Sequence, residues 1–227
     1  MRAELATPHQ RSAKSSRKSQ LSRRAESDRR LIAAALKLIA KQGVAGTSLA
    51  EIGLAAGYSR GLPSERFGSK AHFLEKLVDQ MDQWFEAKLV TDLAGKAGLD
   101  AVIARLAAHF DGAMQGPVAT RALYHLYIES LSVMPELKSR MAALSRAYLD
   151  GFVAHLQEAK RLGQVGRKLD CEEQAGIILA ATRGMVIQSL LDPQSLELQT
   201  AKKILMQLFR QSRSEEHTSE LQSRHNL

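Results

Sequence analysis

The sequence has a single cysteine, Cys171, so neither a disulfide framework nor a cysteine-ligated zinc site can be built, and an intracellular chain is the default expectation. Only 5% of the residues are aromatic, and there are five prolines and fifteen glycines, while alanine and leucine abound; that balance favours helix over sheet. No apolar run approaches the roughly 18 residues of a membrane helix before a charge interrupts it, Arg183 breaking the best stretch. A secretory signal is not expected, because the first residues contain no apolar h-region. Signatures of catalysis are also missing. His9, His72, His109, His125, His155, His217 and His225 form no H-E-x-x-H pair, and no P-loop, G-x-S-x-G or G-x-G-x-x-G motif occurs. Cys171 carries no local sign of activation, and Glu172-Glu173 read as first-turn partners of a helix dipole. The chain therefore reads as a non-enzyme, with no metal and no cofactor.

What the sequence does have is positive charge. A formal net charge of +8 in 227 residues, with a 44% hydrophobic content, describes a globular protein with a polyanionic partner; a membrane surface would fit charge alone equally well. Residues 1–26 concentrate Arg2, Arg11, Lys14, Arg17, Lys18, Arg23 and Arg24 against Glu4 and Glu26, with too few apolar residues for a core. They are expected to be a disordered arm, either lying on phosphates or merely solvated.

From Ser27 the periodicity is helical, with Ile32, Ala35, Leu36 and Ile39 at i, i+3, i+4, i+7 and Gly43 placed to end the helix. Ser48 to Glu51 is a capping box that starts a second helix, and Gly57 ends it. Ser59 is placed to cap a third helix running to Phe67, and Ser69 a fourth that carries Phe73, Leu77, Met81 and Trp84. Two short helices about a glycine turn, over residues 48–67, make a helix-turn-helix with Leu49, Ile52, Leu62 and Phe67 beneath it. Five more helices follow: about 99–114, 119–131, 135–161, 171–191 and 196–211, broken at Gly116-Pro117, Met134-Pro135, Gly163 to Gly166 and Asp192-Pro193. The expected architecture is all-α, a three-helix DNA-binding head with a helix-turn-helix over 27–85 and a larger helical bundle over 86–212.

At Gly43-Val44, Thr47 to Ile52, Ala55 to Gly61 and Phe67 to Lys70 the sequence resembles the TetR family of bacterial transcriptional regulators, a resemblance covering about residues 25–85. Arg183-Gly184 and Leu190 to Pro193 resemble the dimerising region of many members. The resemblance implies that Thr47 and Ser48 bond a phosphate at a helix start. It implies that Ser59, Arg60, Gly61 and Leu62 open the recognition helix, Arg60 reading guanine or holding a phosphate, and that Lys70 clamps a phosphate. Tyr58, Ser64, Glu65 and Arg66 complete the expected DNA-facing set. Pro63, Ser64, Glu65 and Arg66 depart from the family, which often has an aliphatic residue, two aromatic or polar residues and histidine there. Pro63 is expected to distort the first turn, and Arg66 to compensate for the missing aromatic.

Cys171 to Leu191 is apolar nearly all round, so the helix is expected between its own bundle and a second subunit. Ile178, Met185 and Val186, with Ala201, Leu205 and Leu208 of the last helix, are the candidate dimer contacts, intramolecular packing being the other reading. A ligand pocket, which the resemblance also implies, has as candidates Trp84, Phe85, Phe110, Met114 and Tyr124, then His125, Tyr127, Met141, Tyr148 and Phe152; plain core is the competing role for each. The expected function is a homodimeric, cytoplasmic repressor that binds a double-stranded operator and is released by a small-molecule inducer. The alternatives are a basic architectural protein without sequence preference, and a helical enzyme or scaffold. The last stretch, 213–227, reads differently: RSEEHTSELQS, from Arg213 to Ser223, is what a widely used sequencing adapter encodes, so the segment is expected to be non-native.

Overall fold

The computed structural model describes residues 8–210, and all regular structure among them is helical. α1 (Pro8–Gln42), α2 (Leu49–Ala55) and α3 (Leu62–Phe67) form the head; α4 (Lys70–Asp92) leads out of it. α5 (Gly98–Gln115), α6 (Pro117–Glu129), a short 3-10 turn (Pro135–Leu137), α7 (Lys138–Arg161) and α8 (Cys171–Leu191) follow. Residues 198–210 are helical and are called α9. The tail over 213–227 lies outside the described residues. α4 runs unbroken across residue 85, so one rigid helix joins head and bundle where a boundary was expected.

The arm is a correction. Instead of disorder up to residue 26, helix α1 begins at Pro8. Few apolar residues limit burial, not helicity: between Pro8 and Glu26 there is no glycine and no further proline. Pro8 opens the helix, where a missing amide costs nothing, and the packed part beyond Ser27 supplies a nucleus from which helix extends backwards. Residues 1–7 lie outside the described set.

Within the head the local signals hold. Ser48 Oγ accepts from the Glu51 amide at 3.2 Å while the Ser48 amide donates to the Glu51 carboxylate at 2.8 Å. Gly57 takes φ 81°, turning the chain. Gly53 allows α3 to approach, for a Cβ there would lie 2.5 Å from the Ser59 carbonyl oxygen and 3.1 Å from Pro63. Ser69 caps α4 by accepting from the His72 amide. Ser59 does not cap α3: Gly61 precedes the helix without a side-chain bond. Pro63 is thus in the first turn, where amides have no intrahelical partner, and it is buried against α2 rather than distorting the helix.

In the bundle α5 packs on α7, and α7 on α8, with Leu99, Val102, Leu106, Phe110 and Ala113 forming the inward stripe of α5. Phe73, Phe110 and Phe152 are fully buried. By length and composition α8 would suffice to cross a membrane, contrary to the sequence reading, but here it packs its Ala175, Ile178, Leu179, Thr182 and Val186 face into the bundle. That face also corrects the dimer set. Ile178, Val186, Ala201 and Leu205 are buried inside the subunit, Met185 is half-buried, and only Leu208 is exposed. The outward stripe is Ile177, Ala180, Gly184, Gln188 and Leu191 on α8, with Ile204 and Leu208 on α9. A helix apolar on every side carries no phase in its sequence; the neighbours α5 and α7 set it.

Candidate nucleic-acid interface and ligand cavity

The turn and α3 present Ser59, Arg60, Gly61, Ser64 and Glu65 to solvent, together with Ser48 at the start of α2, while Tyr58 and Leu62 are half-buried. Arg60 therefore stands in the turn before the recognition helix, not inside it. Three expected DNA contacts are otherwise engaged. Thr47 is 1% exposed and its hydroxyl donates to the Gly43 carbonyl at 2.7 Å, closing the turn after α1. Arg66 ties α3 to α1, donating to Asp28 at 2.6 Å and also to Ser27 and the Arg24 carbonyl. These bonds make it an internal strut between α3 and α1. Lys70 donates to the Val44 carbonyl at 2.6 Å, so part of its donor capacity is already used. Beside α3, the side chains of Arg23, Arg24, Arg30, Tyr58 and Leu62 line a groove along α1, joining the basic stretch to the turn.

A cavity of about 240 Å³ lies among α4, α5, α6, α7 and α8. Of the expected lining, Trp84, Phe85, Tyr124, Tyr127 and Tyr148 are there. Phe110, Met141 and Phe152 are buried in the core, and Met114 packs against it. His125 faces the other way, towards Glu129 and the head. The sequence reading missed His109, Thr120, Thr182 and Arg183, and gave Val186, a cavity wall, to the dimer. Arg183 was visible as a lone cation in an otherwise apolar helix, a signal of function rather than of interface.

Arg183 donates to the hydroxyls of Ser145 and Tyr127, each at 2.9 Å, and its guanidinium lies 4.7 Å from the centre of the Tyr127 ring. The Tyr124 hydroxyl donates to the Arg183 carbonyl. Burial pushes the Tyr124 phenol up to about 12 and raises Tyr127 and Tyr148 as well, so all three are neutral donors. His109 packs against Phe85, Tyr148 and Phe152, with ring centres 4.6, 5.2 and 5.5 Å away. Burial, then Arg105 and Arg183, lower it to about 3, and the imidazole is neutral.

One helix joins cavity and head. Thr120, Leu123, Tyr124 and Tyr127 of α6 line the cavity. At the end of α6 the Glu129 carboxylate accepts from the Val44 amide at 2.8 Å and the Ala45 amide at 2.7 Å, while His125 Nδ1 lies 3.1 Å from it. Gly43 is required beside this contact, having φ 76° and leaving only 2.8 Å between a would-be Cβ and Glu129 Oε1. Val44 and Ala45 stand a few residues ahead of the α2 capping box.

Comparison with known proteins finds two family models along the chain. Residues 31–77 match the model of "Bacterial regulatory proteins, tetR family", and residues 97–211 match "Tetracyclin repressor-like, C-terminal domain". The HTH-type transcriptional regulator TtgR of Pseudomonas putida is 25% identical over 191 residues, covering 76% of this chain and 84% of that protein. A TetR transcriptional regulator from Chloroflexus aurantiacus superposes with a TM-score of 0.73 at 25% identity, over 82% of this chain and 96% of the other. A transcriptional regulator from Saccharomonospora viridis, solved with choline, shares the fold with a TM-score of 0.73 at 18% identity and the same coverage.

Proposed function

Because the chain belongs to the TetR family of bacterial regulatory proteins, and is a sequence-specific DNA-binding transcriptional regulator rather than an enzyme, we propose that it is a homodimeric, cytoplasmic repressor released from its operator by a small molecule in the cavity. The observation that carries this reading is α6, whose one half lines the cavity and whose last residue holds the backbone before the helix-turn-helix. A ligand that prefers one placement of α6 biases the placement of the head, and binding free energy becomes a shift in operator affinity. The exposed apolar stripe of α8 and α9 supports a two-fold contact, which would set two recognition helices on successive half-sites. Arg60, Ser59, Gly61, Ser64 and Glu65 are proposed to meet base edges and phosphates, Ser48 a phosphate, and Tyr58 and Leu62 to support them.

Nuclease footprinting of the full chain on DNA flanking its own gene, with random competitor present, tests this. A protected palindrome whose half-sites lie a helical turn or a multiple apart is expected. Uniform protection abolished by competitor would refute sequence-specific regulation and leave a basic architectural protein.

A further inference from the structure

A guanidinium taken out of water without a carboxylate is costly, and two lack one here: Arg105, buried behind the cavity wall, and Arg183, half-buried in the wall itself. Arg105 on α5 is 7% exposed, and its Nε and one terminal nitrogen have no hydrogen-bond partner. Its guanidinium lies over the Phe152 ring and against Gly151 of α7, where even a Cβ would collide with it. Arg183 lines the cavity, and its two hydrogen bonds go to hydroxyls. Among the described residues no carboxylate forms an ion pair with either. Exposed Glu86 acts on Arg105 only through its field, Asp82 is paired with Arg140, and Asp92 with Lys88, a third cation at the cavity. His109 follows Arg105 by one helical turn and lines the cavity, and its Nε2 is buried and unpartnered. Trp84, Phe85, Leu123 and Val186 supply apolar wall, and Thr120, Thr182 and the neutral phenols of Tyr124, Tyr127 and Tyr148 bring no charge.

We propose that the cavity is built for an anion on an apolar body, a small hydrophobic carboxylate whose head group meets Arg183 and the Nε2–H of His109 while Arg105 places a second positive charge behind them. This rests on the ligand-responsive reading above and names the class of ligand. Folding has already removed the Arg105 guanidinium from water and partly desolvated Arg183, so a carboxylate gains their attraction in a site of lowered dielectric with little further desolvation of the protein's own charges. An alcohol of the same length gains only apolar burial, and a cation is repelled. The volume of about 240 Å³ lies below the roughly 300–1,000 Å³ of drug-sized sites, which calls for a compact ligand.

Trp84 is the only tryptophan in the chain and lines the cavity, so its fluorescence reports occupancy. Octanoate, 1-octanol and octyltrimethylammonium are titrated into the full chain. Octanoate is expected to bind at least about tenfold more tightly than octanol, the equivalent of one good charge-assisted contact, and the ammonium most weakly. Arg183→Met is expected to bring octanoate down to the affinity of octanol while octanol is unchanged, which also shows the cavity intact. Should that variant fail to fold, Arg183→Lys keeps the charge and is expected to keep the wild-type ranking. The proposal is overturned if octanol or the ammonium equals octanoate, if none of the three binds, or if Arg183→Met retains the preference for octanoate. Footprinting the same preparation separates the two readings. A specific footprint without carboxylate selectivity overturns this inference alone, whereas loss of sequence-specific protection overturns the regulator on which it rests.

Discussion

Removing the Glu129 carboxylate should loosen the head from the bundle in a way that can be followed at two amides. Glu129 accepts from Val44 and Ala45 at 2.8 and 2.7 Å, and its side chain is only 14% exposed. Hydrogen bonds to a charged group contribute about 1.5–3 kcal/mol each. The two share one carboxylate and are not additive, and the exposed Ala45 amide can turn to water, whereas Val44 is 0% exposed. Glu129→Ala should therefore cost about 3 kcal/mol, and Glu129→Gln, which keeps a neutral acceptor, roughly half of that. For a chain of this size 3 kcal/mol lowers Tm by about 6–12 °C. Hydrogen exchange is the decisive assay: protection of Val44 and Ala45 should fall in Glu129→Ala while that of α7 falls only as far as global stability does. A double-mutant cycle adds a second reading, since Gly43→Ala forces a Cβ against Glu129 Oε1 and should cost less once the carboxylate is gone. Unchanged protection of the Val44 amide in Glu129→Ala would refute the proposed coupling.

Two arginines of the head should separate specificity from stability. Arg60→Ala, at an exposed position, should leave Tm unchanged and lose about 1–3 kcal/mol of discrimination between operator and mutated sites; equal weakening on every duplex would remove Arg60 from base readout. Arg66→Ala should instead destabilise the fold by about 1–3 kcal/mol, because it frees Asp28 and the end of α3, and an unchanged denaturation midpoint would contradict the strut. For His109, burial and then Arg105 and Arg183 hold the folded group at about 3, against an ordinary value of 6.5. Between these values the unfolded chain binds the extra proton, so stability is complete above 6.5 and declines as pH falls, by up to about 1.4 kcal/mol per pH unit. His109→Phe should flatten urea midpoints across that range relative to wild type, whose slope also contains His155, lowered by burial and Arg105; an unaltered slope would refute the assignment. Ile177→Glu, on the outward stripe, should yield a folded monomer by sedimentation, whereas Ile178→Glu, one position on and fully buried, should fail to fold. A dimeric Ile177→Glu protein would move the interface elsewhere.

The features legible in the sequence were those fixed by neighbours a few residues away. Ser48 and Glu51 cap the same turn they define, Ser69 caps α4, and Gly57 turns the chain because no distant contact is needed for it to do so. Features set by distant partners were not legible. Arg60 and Arg66 look alike in the sequence, and only Asp28, far back on α1, makes one a strut and leaves the other exposed. Ile177 and Ile178 are equally apolar, and a rotation of about 100° between successive helical residues decides which faces outwards. The basic arm was misread for a related reason: poverty in apolar residues shows that a segment is not buried, but a helix extended from a packed neighbour needs no burial of its own. Aromatic residues marked the cavity only in part, since a cavity is the space that five helices leave unfilled.

The cavity and the head are connected by what α6 is required to do at each end. From Thr120 to Glu129 the helix rises about 14 Å at 1.5 Å per residue, so it carries a contact in the cavity to the α1–α2 junction without any loop between. At the cavity end Tyr127 accepts from Arg183, and the Tyr124 hydroxyl bonds to the Arg183 backbone, so α6 is tied to α8 by the same residue proposed to receive the ligand's charge. An anion that draws the Arg183 guanidinium away from Tyr127 weakens one of the ties holding α6 in place. At the head end Glu129 has no equivalent freedom: Val44 is buried and its amide needs the carboxylate wherever α6 goes. On the proposed reading the tie that would yield is at the cavity and the tie that would hold is at the head, which is the order required for a ligand to move a DNA-binding domain rather than merely detach from it.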